Sequence, residues 1–391
     1  MKKAEIERCV SIEMAIKKAE ECFKFLKLKY KINKICSINK LISTYSVMIE
    51  NTDIQGNGKG SGEQSKASAL FEALEHYIYY NNSKCDEYMK AEDFKHQSGL
   101  LKMESSISLL LDKCKNEDIL EVTKFQNFER DKSIYYPTPL WNVYNNSFEG
   151  KFDEIKKYST NSGCAIGITV TEAILHAVNE LLERDSLSWH YLDVFIKQDK
   201  KAKRVKTESL PKGLQSIYWE VKNSIKENVE IIKIDTINGL YCYLVFAPNK
   251  KTGIPYKGSG LSILSEYALE RALLECLQSF HLSCEETEIE DKISFEILKK
   301  YEKYLKILTL DYKNNFIDIN FEENIIDFKD VNQILKCERE ILHKHEMEFY
   351  YKVLVSINDV YCVQVIIPGI EKFYLVGNGL PVIPGNGRMR L

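Results

Sequence analysis

Nine residues in three groups carry the chemistry that this sequence can do. Ser68, Glu72 and Glu75 form one group, His176, Glu180 and Glu183 a second, and Arg271, Glu275 and Gln278 a third. Each group follows the spacing i, i+4, i+7, which places its members on one face of an α-helix. Apolar residues flank every stripe: Ala69, Leu70, Ala73 and Leu74 in the first, Val178, Leu181 and Leu182 in the second, Leu273, Leu274 and Leu277 in the third. Carboxylates held together among apolar neighbours repel one another and take up protons unless a cation neutralises them. A hard divalent ion is the partner such a set calls for, with Glu72, Glu75, Glu180, Glu183 and Glu275 as its candidate ligands.

The alternative is three solvated faces of ordinary amphipathic helices. Lysine usage speaks against it. The segments 67–80, 172–190 and 264–280 together span 50 residues without a lysine, in a chain with 46 lysines. About six would fall there by chance, and solvated helices place Lys four residues from Glu. Carboxylates joined by the amide of Gln278 suit Mg²⁺, which retains waters and is shared with substrate phosphates. A di-iron site would need Glu-x-x-His pairs. Neither His76, directly after Glu75, nor His176, four before Glu180, provides one.

Phosphate is the natural companion of this ion. Glycine-rich stretches precede each helix, at 56–62, 163–167 and 258–260, and are expected as turns whose N–H groups could hold an anion. Arg184 and Arg271 would add planar forks for phosphate oxygens. The Walker pattern GxxxxGK[ST] is absent. The residues alone therefore point to a Mg²⁺–nucleotide site built from three helices.

The elements around these stripes mix helix and strand without strict alternation. An amphipathic helical pattern covers 4–27, and strands are expected at 40–54, 133–144, 229–235, 239–247, 348–357 and 359–368. Residues 86–120 read as helix and loop, 195–206 as a lysine-rich surface segment and 284–292 as an acidic surface loop. The expected fold class is α+β, with mixed or antiparallel sheets layered with helices. One domain over 1–391 is expected, with a helical excursion near 290–345 and a Gly/Pro-rich tail at 377–391. A net charge of -3 excludes a nucleic-acid binder driven by bulk charge. Eleven scattered cysteines without a framework, and the absence of a signal peptide or an 18-residue apolar run, give a cytoplasmic expectation with no membrane span.

The same residues resemble the YcaO family of ATP-dependent enzymes that modify peptide backbones. GKGSGEQSKASALFEALEHY (58–77) is similar to the family's GKG…SAxxEAxER segment. TNSGCAIGITVTEAILHAVNELLERDS (160–186) is similar to its NGxAAGNTxxEAxxHxxxExxERD segment. GSGLSILSEYALERALLECLQS (258–279) resembles its RAxxExxQ helix, VIIPGIE (365–371) its VPGxE strand, and ERCVSIEMA (7–15) its opening RxxSPEET. The resemblance implies a YcaO-type ATP-binding fold with ATP and Mg²⁺ as cofactors. Carried over by motif, Ser68, Glu72, Glu75, Glu172, Glu180, Glu183, Arg184, Arg271, Glu275, Gln278 and Arg8 would hold the nucleotide and its metal.

It also implies phosphorylation of a backbone amide oxygen in a ribosomally made peptide or a protein. Attack by a Cys, Ser or Thr side chain would give an azoline, by sulfide a thioamide, by an amine an amidine. A partner that presents the substrate or delivers sulfur is expected, and a homodimer is one state the chain allows. Ile168 stands where the family has Asn, His76 where it has Arg, and the ending LPVIPGNGRMRL lacks PxPxP. Those departures leave the product open and keep a non-catalytic, ATP-binding accessory role as the alternative.

Overall fold

The computed structural model describes residues 7–313, 315–324 and 326–385. After helix α1 (Ile12–Phe25), capped by the Ser11 hydroxyl, an antiparallel sheet of β1 (Tyr30–Cys36), β2 (Ile42–Ile49) and β3 (Gln55–Ser61) runs into α2 (Glu63–Asn81). Next come β4 (Glu87–Lys90), β5 (Ile119–Asn127), β6 (Ser133–Pro137) and β7 (Cys164–Gly167). Short helices α3 (Ala91–Gln97), α4 (Ser105–Lys113), α5 (Thr138–Trp141) and α6 (Asp153–Lys156) lie between them. From β7 the chain enters the long helix α7 (Val170–Tyr191), whose start is fixed by the Thr169 hydroxyl accepting the Glu172 N–H.

A second sheet takes β8 (Ala202–Val205), β9 (Glu230–Ile234), β10 (Tyr241–Ala247) and β11 (Tyr256–Ser262), with α8 (Lys212–Ile225) after β8 and α9 (Ser265–His281) after β11. Beyond α10 (Glu285–Leu298) and α11 (Glu302–Leu308), β12 (Phe316–Ile319) lies parallel beside β8 and becomes the outer strand of that sheet. Helix α12 (Val331–Lys344) and the hairpin β13 (Tyr350–Ile357) and β14 (Val360–Ile366) follow. The hairpin completes a third sheet in the order β4-β5-β13-β14-β7, with β6 on β5. Every other strand pairing among the described residues is antiparallel, the α+β architecture the sequence leads one to expect. No described helix is long and apolar enough to cross a membrane.

Several local expectations are corrected. Within 86–120, Glu87–Lys90 form strand β4, and Ile119 and Leu120 begin β5, which buries Leu120 and Val122 on one face and Thr123, Phe125 and Asn127 on the other. The lysine-rich segment contains β8, and the acidic stretch at 284–292 is the start of α10. A strand, β12, interrupts the helical region 290–345. Of the pattern at 4–27, residues 12–25 are helix and 4–6 lie outside the described residues, as do 386–391 of the tail.

The three acid-bearing helices occupy equivalent places. Each follows a strand (β3 to α2, β7 to α7, β11 to α9), and each also packs on the strand of the next unit: α2 on β7, α7 on β11, and α9 back on β3. The units therefore close into a ring. Its strand–helix contacts explain two glycines expected as anion-holding turns. Gly58 lies within β3 and Gly258 within β11, pressed against the backbone of their own helices. A Cβ at Gly58 would overlap Ser65 O and Ala69 N, and one at Gly258 would overlap Ala272 O and Cys276 N. These glycines serve close packing.

The tail is held from beneath by Glu371, whose carboxylate accepts the Lys372 N–H at 2.9 Å and the Gly385 N–H at 2.8 Å. Tyr158 brackets Ile383, its hydroxyl accepting the Ile383 N–H and donating to the Ile383 carbonyl, both at 3.0 Å.

Gly58→Ala is expected to destabilise the chain by about 1–3 kcal/mol through overpacking. Gly213→Ala, with open space around its Cβ in the first turn of α8, should be neutral or stabilising by about 0.4–1 kcal/mol. Urea denaturation of both variants checks the contrast. Burial pushes the Glu371 carboxyl up to about 7, so the folded state holds this proton more tightly than the unfolded chain. That stabilisation is complete below the ordinary carboxyl range and is lost as pH rises through about 7. Glu371→Gln should therefore flatten the loss of Tm between about pH 5 and 8, measured by thermal melts across that window.

Candidate functional site

The third residue of each stripe ties its helix to the next strand of the ring. Glu75 of α2 lies against Ile166 of β7, whose backbone N–H pulls its carboxyl down against the push of burial. Glu183 of α7 accepts the Ser259 hydroxyl of β11 at 2.5 Å. Gln278 of α9 donates to the Asn57 carbonyl of β3 at 2.6 Å. Equivalent positions on three helices thus make equivalent contacts, and the remaining stripe residues face a common cleft.

Within that cleft, Lys59 of β3 pairs with Glu275, and Arg184 lies 3.5 Å from Glu183 and 3.9 Å from Glu180. Glu180 also accepts the Gly163 N–H at 3.4 Å. Arg271 Nη1 donates to His176 Nδ1 at 3.3 Å. At the outer end of α7, Arg8 Nη1 meets Glu172 at 3.1 Å, and the Cys9 N–H donates to the other Glu172 oxygen at 3.3 Å. Ser68 lies one turn before Glu72 on the same face. All eleven residues singled out in the sequence therefore belong to these helices or touch them.

Protein mass surrounds the carboxylates, yet most still reach solvent, as side chains lining a deep cleft do. Burial pushes Glu72 and Glu180 above the usual carboxylate range. Glu75 is pushed well above it, by burial and then by the neighbouring Cys164, Glu180 and Glu72. Glu275 behaves differently: against the upward push of burial, the charges of Lys59 and Arg184 hold it below its ordinary value. His176 is driven well below its ordinary value by burial and by the cations Arg271, Arg8 and Lys59. It is neutral near pH 7, which leaves Nδ1 free to accept from Arg271. The imidazole ring thus makes an orienting contact with a guanidinium.

Two features test the fit to a cation and a phosphate chain. The buried Nε of Arg271 has no hydrogen-bond partner, a donor left open beside the acids. Three raised carboxylates gain from a counter-charge. Among the described residues no three His, Cys, Asp or Glu side chains come close enough to hold an ion by themselves. That arrangement suits a metal taking one or two carboxylates and completing its shell with water and phosphate. A cavity of about 220 Å³ bordered by Trp189, Lys197 and Lys200 lies at the end of α7, outside the cleft.

Three participants escaped the sequence reading. Lys59 sits in the first glycine-rich stretch, where it was read as part of a turn; as a strand residue it points at Glu275. Glu338 is fully buried on α12, and the Asn179 amide, turned with its nitrogen toward it, donates at 3.1 and 3.3 Å. Burial lifts the Glu338 carboxyl well above its ordinary range, which favours its neutral form. The available signal was its place on the buried stripe of Val331, Ile334, Leu335 and Leu342. Glu7 accepts the Ser262 hydroxyl at 2.5 Å and lies close enough to feel Glu338 and Arg271.

A family model described as YcaO cyclodehydratase, ATP- and Mg²⁺-binding, matches residues 57–371. No curated protein matches the sequence. Among solved structures, YcaO from Methanopyrus kandleri bound with AMPPCP and Mg²⁺ shares the fold with a TM-score of 0.66 at 15% identity, covering 99% of this chain and 98% of that one. A heterocyclase in complex with substrate and cofactor gives 0.66 at 17% identity, over 93% of this chain and 52% of its own. The E. coli microcin synthetase McbBCD complex with pro-MccB17 bound gives 0.59 at 16%, over 87% and 88%. The family match begins at Asn57, where the ring closes, and ends at Glu371, where the tail is pinned; this chain belongs to the YcaO family.

Proposed function

We propose that the chain activates a backbone amide of a peptide or protein in an ATP- and Mg²⁺-dependent reaction, phosphorylating the amide oxygen so that a nucleophile can replace it. The product is an azoline, thioamide or amidine according to the nucleophile. The observation that carries this reading is the ring itself: five carboxylates on three helices, three of them held above their ordinary range, next to a guanidinium with an open buried donor. The similar structures bound to AMPPCP and Mg²⁺, or to substrate and cofactor, support it.

Mg²⁺ would draw one or two ligands from among Glu72, Glu75, Glu180, Glu183 and Glu275 and complete its shell with water and phosphate. Arg271, Arg184 and Arg8 would hold the phosphates, with Ser68, Glu172 and Gln278 completing the nucleotide contacts. When bound, ATP supplies the phosphoryl group and Mg²⁺ neutralises its charge. The protein's own part is electrostatic. Lys59 keeps Glu275 ionised, neutral His176 aligns the Arg271 fork without adding charge, and Arg184 keeps a positive group beside Glu180 and Glu183. Donors fixed in place before substrate arrives need no reorganisation during the reaction. The retained acids on all three helices favour a catalytic over an accessory role. A substrate-presenting or sulfur-delivering partner, and a cytoplasmic setting, fit the same reading.

Glu72→Gln is expected to weaken Mg²⁺-dependent AMPPCP binding at least about tenfold and to abolish substrate-dependent phosphate release. Isothermal titration and phosphate assays measure the two, and unchanged phosphate release in this variant would sink the proposal. Arg271→Lys keeps the charge but loses the Nε–H of the planar fork, so AMPPCP affinity should fall about tenfold with little change in Tm. Equal affinity in wild type and Arg271→Lys would remove this arginine from the nucleotide set.

A further inference from the structure

The acid ring accounts for a nucleotide and a cation and offers no seat to the group that attacks the amide. Across Arg184 from the acids lies a chamber of about 20 Å³, room for one water-sized molecule. Arg184 is the shared wall: it borders the chamber, stacks on Tyr374 at 5.5 Å, and pairs with Glu183 and Glu180 on its other side.

Gln364 of β14 lines the chamber and is fully buried. Its Nε2 donates to the carbonyls of Ser162 at 2.9 Å and Val365 at 3.1 Å, so the polar atom it has left to offer is Oε1. That oxygen has no hydrogen-bond partner. A buried acceptor without a donor is costly, and a donor-bearing guest relieves the cost.

Three further lining residues form a connected set. Lys372 Nζ donates to the Tyr136 hydroxyl at 2.9 Å, and Tyr136 donates to Glu104 at 2.8 Å. All three are buried. Burial pushes the Lys372 ammonium down and the Glu104 carboxyl up, so both ends of the set lean toward their neutral forms.

We propose that this chamber seats the attacking nucleophile as a hydride of one heavy atom, hydrogen sulfide or ammonia, which donates to Gln364 Oε1 and gives a proton to Lys372. This rests on the amide-activation reading above. The lone pair of the hydride forms the bond to the amide carbon while the carbonyl π pair moves onto oxygen. One X–H bond breaks and its proton goes to Lys372 Nζ, which has to be in its amine form to receive it. A neutral hydride, amide and amine thus become an oxyanion adduct and an ammonium, and Tyr136 and Glu104 hold the ammonium in place.

The test uses the full chain loaded with Mg²⁺ and AMPPCP. Crystals soaked in sodium hydrosulfide should show an anomalous sulfur peak within about 3.5 Å of Gln364 Oε1. In solution, titration with hydrosulfide and, separately, with ammonium should show one site per chain for one of them, which identifies the hydride. Gln364→Leu should weaken that binding about tenfold and leave AMPPCP affinity within about twofold. The soaked wild-type crystal keeps the test valid should the variant not fold. AMPPCP binding with neither hydride bound means a structural water only, which overturns this inference and leaves the amide-activation reading standing. Failure of AMPPCP itself to bind overturns both.

Discussion

Like charges confined in one cleft are the constraint on which this structure depends. Carboxylates from α2, α7 and α9 must be brought together, although their mutual repulsion and desolvation oppose it. The ring resolves the conflict by fixing each helix to a neighbour's strand through polar groups at equivalent positions: Glu75 on Ile166, Glu183 on Ser259, Gln278 on Asn57. Cations enter from the strands and the N-terminal segment as Lys59 and Arg8, and from the helices themselves as Arg184 and Arg271. The glycines in β3 and β11 let helix and strand backbones approach closely enough for those contacts to form.

The candidate site was largely legible because helical spacing carries direct information about which residues share a face. Ser68, Glu72 and Glu75 needed only the 3.6-residue period, and the missing lysines showed that those faces meet protein rather than bulk water. What the period cannot convey is contact between faces. That Arg271 meets His176, or that Lys59 meets Glu275, depends on how three units are arranged, and no local pattern encodes it. Glu338 shows the same limit. Its helix is rich in Lys and Glu, so an acid there looks solvated unless its register against Ile334 and Leu342 is followed closely.

The fold was legible where strands alternate or run apolar, as in β9, β10, β13 and β14. It was obscured where chemistry and architecture use the same residues. Glycine-rich text at 56–62 suggested turns, since Gly is the usual residue of a turn. In this chain it forms a strand, because the helix lying on it leaves no room for a Cβ. Acidic text at 284–292 suggested a loop and instead makes the exposed first turns of α10, where Glu285, Glu286 and Glu288 complement the helix N-terminus.

The ring's last link joins Asn57 to Gln278, 221 positions apart. A growing polypeptide leaving the ribosome completes α2 and α7 long before α9 is made. Through that interval four of the five acids are already present, while Glu275, Gln278 and Arg271 are still unsynthesised. Closure of the ring is thus a late event of biosynthesis, and a chain cut short before the third helix carries a large share of the acids without the contacts that fix their arrangement.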